Sequence, residues 1–96
     1  ITPSTLLKTY NAPKQIDYVS IDTEGSEYEI LKAWPWNDYY TTLISVEADD
    51  QELHTIDNYL KLKKYTKVEN PFCNQHYEHH YCHNNFLENY KFKKYE

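Results

Sequence analysis

The sequence contains no arginine, no methionine and a single glycine, and these shortages narrow the functions it can have. Ten lysines stand against fifteen acidic residues, which gives a formal net charge of −5. Proteins that grip a phosphate backbone gather lysine and arginine on one face, so we expect no binding to nucleic acid. The lysine clusters at 61–64 and 91–94 are typical of a solvated helix face and a tail.

Long apolar runs are missing as well. No window approaches the roughly 18 apolar residues of a membrane span, and the first residues lack the pattern of a signal peptide. We therefore expect a soluble, cytoplasmic protein without a membrane span. The sequence starts at Ile1 instead of methionine, which predicts that it is a piece of a longer protein.

The composition that remains is typical of a small globular unit. Apolar residues make up 40% of the 96 residues and aromatic residues 17%, which excludes a disordered tail. A chain of this size buries roughly 60 to 65% of its unfolded surface, enough for a thin core and one domain at most.

Alternating helical and strand patterns predict an α/β layer with parallel strands, flanking helices and a closing antiparallel hairpin. The first predicted elements are a helix at Thr5–Tyr10 and a strand at Gln15–Asp22 that is buried on both faces. A helix follows from Ser26 to Pro35, with a Ser26/Glu29 capping box, and then a strand at Thr42–Glu47. A helix capped by Asp49 or Asp50 comes next, and the strands from Tyr65 onward include Tyr81, His83 and Phe86.

Acidic side chains stand at the ends of both predicted parallel strands. Asp22 and Glu24 follow the first strand, and Glu47 ends the second. Parallel α/β sheets bind ligands outside the carboxyl ends of their strands, so we expect these carboxylates to share one edge. Gly25 gives the backbone the freedom to turn sharply into the next helix or to let a ligand approach.

Two further acids, Glu27 and Glu29, fall in the first turn of the helix that follows. Acids in this position stabilise a helix through its dipole without taking part in chemistry. We interpret both residues in this way.

The stretch "IDYVSIDTEGSEYEILKAWPW", followed by "LISVEAD", resembles the second half of the FkbM-type methyltransferase domain. The shared pattern is a strand, Asp-x-Glu-Gly, a small residue, Glu and a helix, then a strand ending in Val-Glu. The resemblance covers Thr5 to about Tyr65. It implies a class I, Rossmann-like fold and methyl transfer from S-adenosylmethionine, often to a hydroxyl of a sugar or another small molecule.

The sequence departs from that family where the cofactor is held. Class I methyltransferases use a glycine-rich loop after the first strand and an acid after the second, and this chain has one glycine, already placed elsewhere. We therefore interpret residues 1–96 as a single partial domain, the C-terminal portion of a methyltransferase whose cofactor-binding half is absent. The fragment is expected to be inactive alone, with Gly25 as its one candidate cofactor contact.

The resemblance implies a displacement in which an acceptor oxygen attacks a methyl group on a sulfonium. Asp22, Glu24 and Glu47 are the candidate catalytic residues, as a general base or a clamp on a small-molecule or glycan acceptor. An alternative is that the three carboxylates bind Mg²⁺, which prefers carboxylate oxygen and lowers the pKa of an acceptor.

Two other functions remain open at this point. Asp-x-Glu at a strand end also occurs in Mg²⁺-dependent nucleases, although the immediate helix and the acidic charge argue against one. The segment "CNQHYEHHYCH" allows a zinc-binding interaction module through Cys73, His76, Cys82 and His83. Because adjacent strand residues face opposite ways, an aromatic hairpin is the favoured interpretation, ahead of zinc and of a Cys73–Cys82 disulfide.

Overall fold

The computed structural model describes residues 2–69 and 78–89 of the chain. Within these residues the chain forms helices and strands in the order predicted from the sequence, with one additional helix at the end. The elements are α1 (Pro3–Thr9), β1 (Gln15–Ile21), α2 (Glu27–Ala33), β2 (Tyr40–Glu47), α3 (Asp50–Leu62), β3 (Tyr65–Val68), β4 (Glu78–His83) and α4 (Asn84–Asn89).

The four strands form one mixed sheet in the order β1-β2-β4-β3. β1 and β2 are parallel, with Ile21 beside Val46 at their carboxyl ends. β4 runs antiparallel to both of its neighbours, β2 and β3. The prediction of an α/β layer with a parallel pair and a closing antiparallel pair is confirmed.

The core lies between the helices and one face of the sheet. It consists of Ile21, Leu31, Ile44, Val46, Ala48, Ile56, Leu60, Tyr65 and Tyr81. In α3 the apolar spacing places Ile56 and Leu60 fully inside, both at 0% exposure, whereas Leu62 is 78% exposed. One helical face therefore holds α3 against the sheet, as its sequence pattern predicts.

β1 differs from the prediction that it is buried on both faces. Ile21 is its one buried residue, and Tyr18 is 52% exposed. Among the described residues β1 pairs with β2 alone, so it forms an edge of the sheet and one of its flanks has no neighbouring strand. An apolar run indicates that a strand can be buried, but it does not show which neighbouring elements cover the strand.

The start of α2 also differs, because the Ser26/Glu29 capping box does not form. The side chain of Ser26 makes no capping hydrogen bond. Glu29 instead pairs with Lys32 on the outer face of the helix, at 3.1 Å. At α3 the expected cap is present, since the Asp49 carboxylate accepts the N–H of Glu52 at 3.0 Å.

Phe86 was predicted to lie in the closing strand, but the structure places it in α4. Tyr81 and His83 do belong to β4, where His83 pairs with Tyr65, the first residue of β3. Pairing of β4 with β3 ends there, because Tyr65 is the first residue of β3. The chain turns instead into a helix at Asn84, whose N–H donates to the carbonyl of Lys64 at 2.9 Å.

Candidate functional site

The carboxyl ends of β1 and β2 bring together the acids that the sequence singled out. Asp22 directly follows β1, Glu47 ends β2, and the register of the two parallel strands makes these ends neighbours. The interaction with the Asp22 side chain, followed by the charge of Asp22, raises the pKa of Glu47. A neighbouring like charge disfavours the ionised form of Glu47, so the two carboxyl groups lie close enough to interact.

Further acids extend this pair into a wider group, which we call the acidic rim: Asp22, Glu24, Glu27, Glu47, Asp49 and Glu52. A pocket of about 270 Å³ lies among Glu24, Gly25, Glu27, Glu47, Ala48, Asp49 and Glu52, so among the described residues five carboxylates and no basic side chain line it. Burial, followed by the charges of Asp49 and Glu27, raises the pKa of Glu52. The rim favours cationic groups over anionic ones.

The turn between β1 and α2 has two consecutive residues in left-handed conformations. Glu24 has φ of 54° and Gly25 has φ of 115°. A Cβ built on Gly25 would meet nothing within 4 Å, so glycine is needed here for its backbone angle and not for space.

Gly25→Ala is therefore expected to destabilise the fold by about 1 to 3 kcal/mol, the usual cost of a strained backbone angle. Ser26→Ala is the control, because Ser26 is exposed and its side chain makes no capping bond. Urea unfolding of the two variants measures the difference. Equal stability would contradict the assignment of strain to residue 25.

Glu27, which the sequence indicated as a dipole partner only, is one of the most buried polar residues, at 2% exposure. Its carboxylate accepts the N–H of Thr23 at 2.7 Å, the hydroxyl of Thr23 at 3.0 Å and the N–H of Gly25 at 3.1 Å. Burial alone raises the pKa of Glu27, but these hydrogen bonds and that of its own N–H outweigh it and hold the pKa below its usual value. The signal in the sequence that could have indicated this role is the position of Glu27, an acid two residues after the only glycine.

The raised pKa of Glu47 beside Asp22 gives a pH-dependent stability with a defined sign. The pKa of Glu47 is raised above its ordinary 4.5 in the folded state, so between these values the folded chain binds more protons than the unfolded chain. Stability from this pair is present below pH 4.5 and falls as the pH rises through the raised pKa.

Asp22→Asn is expected to flatten this fall, because it removes the charge that Glu47 must face when it ionises. Urea unfolding across pH 4 to 7 should therefore show the variant gaining stability relative to the unsubstituted chain as the pH rises. Asp17→Asn, on the exposed part of β1, is the control and should leave the profile unchanged. If the stability of Asp22→Asn and that of the unsubstituted chain change with pH in the same way, the contact between Asp22 and Glu47 is contradicted.

A second, apolar pocket adjoins the acidic rim and shares Asp22 with it. It has a volume of about 410 Å³ and is lined by Thr2, Pro3, Leu6, Leu7, Val19, Ser20, Ile21, Asp22, Thr23, Ile30 and Trp34. The indole N–H of Trp34 is buried and has no hydrogen-bond partner among the described residues. Asp22 thus lies between an apolar surface and a strongly anionic one.

Neither proposed metal set is supported in the part of the chain that the structure describes. Within residues 2–69 and 78–89 no three His, Cys, Asp or Glu side chains form a group that could hold a metal ion, and this includes Asp22, Glu24 and Glu47. Cys73 and His76 lie outside the described residues.

The other two candidate zinc ligands, Cys82 and His83, are surrounded by packed side chains. Cys82 is fully buried, and burial raises the pKa of its thiol to about 11, which makes it inert. The ring of His83 packs against Tyr40 and Tyr65, with centroids at 4.9 and 5.0 Å. The pKa of His83 is lowered by this burial. Both residues serve the aromatic packing of the sheet.

None of the helices within residues 2–69 and 78–89 combines the length and the apolar character needed to cross a membrane.

Residues 1–67 match the profile of a protein family described as the methyltransferase FkbM domain. No curated protein and no solved structure matches the chain significantly. The matched segment contains β1, α2 and β2 in full, and with them the turn from Asp22 to Glu27.

Proposed function

Because the chain belongs to the FkbM methyltransferase family, we propose that it forms the acceptor side of an enzyme that transfers a methyl group from S-adenosylmethionine to a hydroxyl. The observation that carries this proposal is the position of Asp22 and Glu47 beside each other at the carboxyl edge of the parallel strands. Residues 1–96 would be the C-terminal portion of a class I, Rossmann-like domain. The parallel β1–β2 pair with helices after each strand supports that arrangement.

The donor set at the edge of the sheet suits one part of the cofactor. Carboxylates attract a sulfonium cation, and Glu24, which lines the pocket of the acidic rim, is the residue that would hold this end. When bound, S-adenosylmethionine supplies an electrophilic methyl group whose departure leaves the sulfur neutral. The nucleotide end needs backbone N–H groups near glycines, whereas the N–H of Gly25 already donates to Glu27. We therefore assign that end to a half of the domain outside this chain.

Asp22 is suited to act on the acceptor because it lines the apolar pocket and interacts with Glu47, which lines the acidic one. An acceptor whose body lies in the apolar pocket would bring a hydroxyl to the Asp22 carboxylate, which can accept the proton. The side chain of Asp22 raises the pKa of Glu47, so Glu47 is a second carboxyl at this edge that could take up a proton. A positioned general base contributes about 10²- to 10⁴-fold to a rate. Glu47 would tune Asp22, and Glu24 would orient the hydroxyl.

The alternatives have no comparable support. The zinc module needs Cys82 or His83 as ligands, and both are engaged in packing. The nuclease needs a group of metal-binding carboxylates, and none is found within the described residues.

The test is methyl transfer from S-adenosylmethionine carrying a labelled methyl group. The enzyme is the longer polypeptide in which a glycine-rich strand-loop-helix segment precedes this chain. The acceptor panel pairs each sugar or small-molecule alcohol with the amine of the same skeleton. We expect label in the alcohol as an alkali-stable methyl ether and none in the amine. Label in the amines alone would contradict hydroxyl methylation.

A further inference from the structure

The turn from Asp22 to Ser26 has a conformation that its own residues do not favour. Glu24 is not a glycine, yet it has φ of 54°, and it is followed directly by Gly25 with φ of 115°. Such angles are uncommon for a residue with a long side chain and persist when surrounding contacts impose them. The turn therefore needs a group that holds it.

The carboxylate of Glu27 is that group. Its two oxygens accept three hydrogen bonds from Thr23 and Gly25, the residues on either side of Glu24. Hydrogen bonds to an ionised acceptor are stronger than those between neutral groups. The two clamped residues leave Glu24 little choice of backbone angle.

Burial shows that the role of Glu27 exceeds that of a helix-dipole partner. An acid can stabilise a helix N-terminus from the solvent, and Glu29, in the same first turn, has 72% of its side chain exposed. Glu27 is only 2% exposed, which is unfavourable for a carboxylate unless hydrogen bonds compensate. The hydrogen bonds from Thr23 and Gly25 provide this compensation.

The hydrogen bond from the N–H of Thr23 to Glu27 also affects how the Asp22 side chain is directed. The N–H of Thr23 belongs to the same planar peptide unit as the carbonyl of Asp22. A hydrogen bond of 2.7 Å to that N–H therefore fixes the orientation of the peptide plane that leaves Asp22. The direction of the Asp22 side chain, and with it the contact to Glu47, depends on this plane.

We infer that Glu27 is a positioning residue, whose carboxylate holds the Thr23–Gly25 turn so that Asp22 is presented to Glu47. The geometric part stands on the hydrogen bonds of this chain alone. Its consequence for methyl transfer rests on the proposed function. Glu27 itself faces the backbone and touches no reacting group.

The test is NMR spectroscopy on the 96-residue chain. Glu27→Gln keeps the size of the side chain but replaces the charged acceptor with one weaker oxygen and a donor. Hydrogen exchange at the amides of Thr23 and Gly25 should speed up by about 10-fold or more, since exchange reports the local opening of each hydrogen bond. Glu29→Gln is the matched control, an exposed acid of the same helix turn, and should change neither amide. Thr23→Val removes only the hydroxyl and should give a smaller increase.

A second readout follows the contact between Asp22 and Glu47 through the titration of the carboxyl carbon of Glu47. In Glu27→Gln the raised pKa should return towards its ordinary value. Glu24→Gln controls for the loss of a nearby charge, because Glu24 and Glu27 both add to the pKa of Glu47 by charge. It should lower that pKa only slightly, whereas Glu27→Gln should also remove the contact with Asp22, which is the largest cause of the raised pKa.

Unchanged exchange at Thr23 and Gly25 in the Glu27→Gln variant would overturn the inference, as would an equal effect of Glu24→Gln on Glu47. If Glu27→Gln prevents folding, Thr23→Val still decides: faster exchange at Thr23 and Gly25 supports the clamp, and unchanged exchange refutes it. Neither readout involves S-adenosylmethionine or methyl transfer. A failure of the proposed function would therefore leave these results intact.

Discussion

Asp22→Asn is expected to reduce methyl transfer by about 10²-fold or more in the longer polypeptide, while the variant folds and binds cofactor normally. Asparagine keeps the shape of the side chain but cannot accept the proton of the acceptor hydroxyl. The loss should appear in kcat, because the carboxylate acts on the hydroxyl as it reacts and not on cofactor binding. Steady-state kinetics with saturating cofactor measures it.

The matched control for Asp22→Asn is Glu29→Gln. Glu29 lies on the outer face of α2, where it pairs with Lys32 at 3.1 Å and has 72% of its side chain exposed. Its substitution should leave turnover unchanged. Glu27→Gln cannot serve as a control, because that carboxylate holds the turn. Undiminished turnover in Asp22→Asn would show that the acceptor is activated elsewhere.

Leu60→Ala is expected to destabilise the chain by about 2 to 5 kcal/mol. Leu60 is fully buried on the face of α3 that packs against the sheet, so alanine would leave a cavity. Small domains have only about 5 to 15 kcal/mol of stability, and the variant would lose a large part of it.

Leu62→Ala, two residues further along the same helix, makes the same chemical change at a side chain that is 78% exposed. Exposed substitutions usually stay within about 0.5 kcal/mol, so the two alanine variants should differ clearly in urea unfolding. Equal midpoints would mean that α3 packs on a different face.

The local elements of this fold could be predicted because their signals are local. Apolar spacing is enough to locate β1, β2 and α3, and Asp49 marks the start of α3. The position of β4 between β2 and β3 could not be predicted, since strand order depends on contacts between distant residues. The exposure of β1 was missed for the same reason. Phe86 was assigned to a strand because nothing local shows that the chain leaves the sheet after His83 and forms α4.

The candidate site was predictable in part. Asp22 and Glu47 were found because parallel strands place their carboxyl ends at one edge. The burial of Glu27 was missed because composition at a helix start does not show where a side chain points. Its direction follows from the angles at Glu24 and Gly25, which bring the N–H groups of Thr23 and Gly25 within reach of its carboxylate.

Calorimetric titration with S-adenosylmethionine tests most directly whether residues 1–96 are the acceptor half of a methyltransferase. We expect no saturable heat with the 96-residue chain, because its single glycine cannot provide a cofactor loop. A longer polypeptide that carries the proposed glycine-rich half ahead of this chain should bind one equivalent. Saturable binding of one equivalent by the 96-residue chain alone would contradict the division into two halves and would place the cofactor at the acidic rim itself.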